Sequence, residues 1–106
     1  MTNSDDMEEI IYKETPVTTR LTDTEMKEEA LLVIKNNAAD VKTIARKIAR
    51  KATDLHLVTS LQENVVYKNL TLTEKERLRL EKLLCDLIAE KQIFYSFINN
   101  LFYPRS

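Results

Sequence analysis

Residues 73–102 read TEKERLRLEKLLCDLIAEKQIFYSFINNLF, and the reading of this stretch decides the fold. Thr73 and Glu76 stand at the two positions of a capping box, in which a hydroxyl and a carboxylate satisfy N–H groups that the first helical turn leaves unpaired. Good helix formers follow. Leu80, Leu83, Leu84, Leu87 and Ile88 recur at helical spacing and fall on one face. Phe94, Tyr95, Ile98, Leu101 and Phe102 repeat that spacing, so the stretch reads as one long helix over about 73–99, its first part apolar enough for a coiled-coil-like contact. Glu90, Lys91 and Gln92 interrupt the stripe. That break argues against one uniform seam: either it divides the helix into a half facing an internal core and a half facing a partner, or Lys91 runs along the core edge with its ammonium in water. Asn99 and Asn100 offer a helix end, and Pro104 prevents the helix from resuming.

Upstream, Asp40 is a good N-cap for a helix over about 40–60. Val41, Ile44, Ala45, Ile48, Ala49, Ala52 and Leu55 form its apolar stripe, with alanines that permit a close helix contact. Beyond residue 57 the chain suits either a continued helix or an extended connection. Thr22 and Glu25 form a second capping box, flanked by a Leu21–Met26 hydrophobic staple. The helix they start runs over about 23–35, and its apolar run at residues 31–34 belongs near the centre of the core. Residues 14–21, ETPVTTRL, are rich in β-branched side chains, and Pro16 lacks a backbone donor, so an edge strand or extended arm fits. Residues 1–13 read as an acidic flexible tail, with Met7, Ile10 and Ile11 spaced as one amphipathic turn. The fold expected is all-α: a small bundle of three principal helices with an extended or disordered N-terminal arm, residues 14–106 forming a single helical domain.

Composition narrows the functions. The chain has 106 residues, 43% of them hydrophobic, enough for one core. It contains no glycine, which removes phosphate loops, dinucleotide fingerprints, nucleophile elbows and EF-hand turns. Asn36, Asn37, Asn99 and Asn100 are the residues expected to replace glycine at helix ends. One His and one Cys cannot build a zinc site alone, so His56 reads as structural or solvated and Cys85 as an inert packed residue. Glu25, Glu28 and Glu29 read as a solvated charged face. No cofactor, small-molecule substrate or catalytic pair is indicated, and the chain reads as a non-enzyme. A single unpaired cysteine and no hydrophobic leader point to an intracellular, cytoplasmic or nuclear place. No apolar run approaches the ~20 residues of a bilayer span, so no membrane partner is expected.

Two binding functions remain. Phe94, Tyr95, Phe97, Ile98, Leu101, Phe102 and Tyr103 surround the expected last helical turns. A helix apolar all round is buried all round, which points to a protein partner or a second copy, in an oligomer or a larger complex. The alternative is nucleic acid. Formal net charge is −1, yet Lys42, Arg46, Lys47, Arg50 and Lys51 crowd one segment. Residues 18–21 (TTRL), 22–37 (TDTEMKEEALLVIKNN) and 40–51 (DVKTIARKIARK) follow one another in an order that loosely resembles the ribbon-helix-helix family over residues 14–53. The resemblance implies a DNA-binding dimer whose paired strands read the major groove, with Thr18 and Arg20 facing bases and the second helix's N-terminus, near Lys42, on phosphate. The chain departs from that pattern at Asn36 and Asn37, where glycine is usual, and at Glu29, where an apolar residue is expected; Pro16 also weakens strand pairing.

Overall fold

The computed structural model describes residues 14–59 and 69–106; the acidic segment 1–13 and any continuation of the second helix beyond residue 59 lie outside the described residues. In chain order the elements are β1 (Glu14–Val17), α1 (Asp23–Asn36), α2 (Val41–Asp54), β2 (Asn69–Leu72), α3 (Glu74–Ala89), β3 (Ile93–Ser96) and β4 (Leu101–Pro104). The strands form two two-stranded sheets. The architecture is therefore mixed α/β, which corrects the expected all-α helical bundle and its coiled-coil element. The helix expected over 73–99 ends at Ala89, and the one expected over 40–60 ends at Asp54.

The N-terminal arm is a strand. β1 and β2 pair in parallel, Thr15 opposite Leu70 and Val17 opposite Leu72, so α1 and α2 lie within the crossover. Alternation settles the register: Thr15, Val17, Leu70 and Leu72 are buried, while Pro16 is exposed, at a position where its missing donor is tolerated. Beyond β1 the arm stays extended, with Arg20 N–H donating to the Leu57 carbonyl at 2.8 Å and Thr59 N–H to that of Thr18 at 2.8 Å.

Both expected capping boxes start their helices, but only one of them closes. At α1 the box forms completely, Glu25 N–H donating to the Thr22 hydroxyl at 3.1 Å and Thr22 N–H to the Glu25 carboxylate at 2.8 Å. At α3 only half forms: Glu76 N–H donates to Thr73 Oγ1 at 3.3 Å, but Thr73 N–H donates to the Val17 carbonyl instead. The freed Glu76 carboxylate is 95% buried and turns to the arm, where Thr19 Oγ1 donates to it at 2.8 Å and Thr19 N–H at 3.3 Å. Arg79 completes the cluster, donating to Glu76 at 3.1 Å, to Asp23 at 2.6 Å and to the Leu21 carbonyl. Burial opposes the Arg79 charge, but its bonds to Asp23 and Glu76 outweigh it and raise the guanidinium's pKa above its ordinary value.

α1 ends at the expected asparagines, with Asn36 its last residue and Asn37 its C-cap, whereas Asn99 and Asn100 end no helix and the ends of α2 and α3 fall on other residues. α2 and α3 both close with Schellman motifs, Leu57 N–H bonding the Ala52 carbonyl and Gln92 N–H the Leu87 carbonyl. The left-handed positions fall on His56 (φ 57°) and Lys91 (φ 60°), whereas Asn37 is extended. After α3 the β-branched and aromatic residues from Ile93 onward form a hairpin, Phe94 opposite Tyr103 and Tyr95 opposite Phe102. Asn100, with φ 58°, turns it, donating its N–H to the Ser96 carbonyl at 2.8 Å.

The core lies between the helices and under both sheets. Met26, Ile34, Ile44, Ile48, Leu80, Leu84 and Ile93 are among its fully buried side chains, each contributing about 1.5–3 kcal/mol. In α1 the run at residues 31–34 is less central than its composition suggests: Ile34 is buried, Leu31 and Val33 are half-buried and Leu32 is exposed. Among the described residues no helix is long and apolar enough to cross a membrane.

Candidate interaction surface

All seven aromatic and aliphatic residues singled out near the C-terminus lie on one β-hairpin rather than around a helix. Strand geometry sorts them onto two faces. Phe94 and Tyr103 stack on one, ring centroids 5.4 Å apart. On the other, Tyr95 packs against Phe102 at 4.8 Å and edge-on against Phe97 at 4.9 Å. Tyr95 Oη donates to Asn100 at 2.9 Å, and Asn99 donates to the Tyr103 hydroxyl, so polar bonds brace the turn from both sides. The hairpin's base is fixed to the body: Ile93 is fully buried, and Phe102 exchanges both backbone bonds with Ala39.

The tip is different. Phe97 is 85% exposed and Ile98 97% exposed, side by side in the turn. Leu101, Phe102 and Tyr103 are half-buried. Beside the tip lies a groove of about 450 Å³ between the hairpin, α3 and the start of α2. Its apolar lining comes from Val41, Leu84, Ile88, Tyr95, Phe97 and Phe102, and Asp40 and Glu81 line it too. Cys85 lines this groove and is exposed, which corrects the expectation of an inert packed cysteine. Sequence reasoning missed the α2 and α3 members of the groove because on a single helix they lie among core residues.

Asp40 has a structural duty beside this groove. Its carboxylate accepts the Thr43 N–H at 2.8 Å, capping α2. The Thr43 backbone and side-chain bonds stabilise the charged form and lower the Asp40 pKa below the ordinary 3.8. A carboxylate with a depressed folded pKa adds stability that is complete above its unfolded value and lost as pH falls through the folded one. Asp40→Ala is therefore expected to cost about 1 kcal/mol at pH 7. In urea titrations at successive pH values, the gap between the two proteins should close below the ordinary 3.8.

The residues proposed for nucleic acid fall in two places. Lys42, Lys47, Arg50 and Lys51 are exposed on α2, and Arg46 is half-buried there. Arg20 donates to the His56 carbonyl at 3.0 Å, next to the end of α2. Thr18 is half-buried, its carbonyl accepting both the N–H and the hydroxyl of Thr59. β1 pairs with this chain's own β2, whereas the ribbon-helix-helix resemblance implies pairing with a second copy. His56 takes up a helix C-terminal position, and among the described residues no group of three His, Cys, Asp or Glu side chains is gathered as a metal site requires.

Compared with known proteins, the chain matches no family model, no curated protein and no solved structure.

Proposed function

We propose that this chain is a non-enzymatic protein–protein interaction subunit, working in an oligomer or a larger complex through its C-terminal hairpin. The observation that carries this reading is the adjacent exposure of Phe97 and Ile98 at the tip of an otherwise braced hairpin. Two large apolar side chains held out by an ordered turn lose little entropy on binding and suit insertion into a partner's pocket. The apolar groove beside them extends the same surface. An exposed, unpaired Cys85 goes with a reducing compartment, cytosol or nucleus.

The test is assembly of the full chain and of its Phe97→Ser/Ile98→Ser variant. Sedimentation velocity reads self-association, and affinity capture with each protein as bait reads other partners. Loss of two hot-spot side chains is expected to weaken the assembly at least ~30-fold, equivalent to about 2 kcal/mol, with the circular dichroism spectrum unchanged. Equal assembly by the two proteins would overturn the reading.

A further inference from the structure

The exposed arc of α2 is a second surface, separate from the hairpin. Lys42, Lys47, Arg50 and Lys51 are exposed along it with Arg46 half-buried among them, and the opposite side of the helix, Ile44, Ile48 and their alanine neighbours, is fully in the core. Asp54, the last helical residue, is the sole acid in α2. Arg20, held on the His56 carbonyl, adds a cation where the helix ends. In a chain of net charge −1, α2 thus carries five of the sixteen Lys and Arg residues against a single acid.

We infer that this arc binds the phosphate backbone of double-stranded nucleic acid, without reading sequence. Residues 42–51 span about 14 Å along the helix, the axial length of about four phosphates on one strand of a duplex. Three competing partners fit less well. α2 has no free apolar face to sink into a lipid surface, because that face is in the core. It carries no aromatic residue on which single-stranded bases would stack. A protein partner would be held best by Trp, Tyr or Arg anchors in a desolvated centre, and the arc offers arginines but no aromatic or large apolar side chain beside them. The hairpin plays no part in this binding.

The experiment is anisotropy of a labelled generic 20-base-pair duplex titrated with the full chain at about 50 and 200 mM salt. About four phosphate contacts give a slope of log affinity on log salt of about −3.6, so affinity should fall about 150-fold between the two conditions. Lys47→Gln/Lys51→Gln should halve the slope and weaken binding at the lower salt at least ~10-fold; both side chains are exposed, so the fold is kept. Lys75→Gln/Lys82→Gln on α3 should change neither. The inference is overturned by absence of binding at 50 mM salt, by an unchanged slope in the α2 variant, or by an equal loss in the α3 variant. Tighter binding to anionic vesicles, to a single strand of equal length or to polyglutamate would overturn it too.

Discussion

Glu76→Ala is expected to destabilise the protein by about 3 kcal/mol, the low end of what breaking a buried charged pair costs. The carboxylate is 95% buried and holds three donors from two parts of the chain: the Thr19 N–H, the Thr19 hydroxyl and the Arg79 guanidinium. Its removal leaves the Thr19 groups unsatisfied in the interior, each such loss costing about 1–3 kcal/mol. Arg79 keeps Asp23 and the Leu21 carbonyl, which limits the damage on its side. Glu76→Gln retains an acceptor for Thr19 but not the charge, so about half the loss is expected from it. Urea unfolding at pH 7 measures both. A double-mutant cycle with Thr19→Ala should return a coupling of at least about 1 kcal/mol. Strict additivity would mean that backbone pairing, with β2 and with residues 57–59, fixes the arm without the Glu76 carboxylate.

The same glutamate shows where a sequence stops being legible. Thr73 and Glu76 have the spacing of a capping box, and half of one forms; the other half is lost to a partner 57 residues away, which no local pattern reveals. At Thr22 and Glu25 nothing competes, and the local motif forms whole. Helix starts were readable for this reason. The end of α1 at Asn36 was readable too, but those of α2 and α3 were not, because the chain has no glycine and the left-handed residues that close these two helices are His56 and Lys91. The polar break at Glu90, Lys91 and Gln92 was visible, but as a gap in a stripe rather than as a stop. Past it, the aromatics from Phe94 to Phe102 satisfy a helical spacing and a strand alternation about equally, and so short an apolar run does not separate the two. Asn100 decided the matter by turning a hairpin instead of ending a helix. The residues named for the site stay together on one hairpin but on its two faces, and the hairpin exposes Phe97 and Ile98 while it ties Phe102 to the body.

This division between tip and base produces the second large effect. Phe102→Ala is expected to cost about 2–3 kcal/mol, somewhat less than a fully buried Phe→Ala change because the ring is only half-buried. Its ring packs on Tyr95 and against the core cluster, and its backbone is bonded to Ala39 on both sides, so it anchors the hairpin where β4 meets the turn before α2. Truncation keeps the backbone bonds and removes the packing under the sheet. Phe97→Ser and Ile98→Ser, by contrast, act on side chains at 85% and 97% exposure, and each should change stability by less than about 0.5 kcal/mol. Urea midpoints of the three variants, compared with their assembly, separate anchor from contact residue. The tip variants should lose assembly and keep stability. Phe102→Ala should lose stability first, and should lose assembly only to the extent that a loosened hairpin no longer presents its tip. If instead the tip variants prove as destabilising as Phe102→Ala, then Phe97 and Ile98 are covered within the chain itself, and the hairpin is part of its own core rather than a surface for another protein.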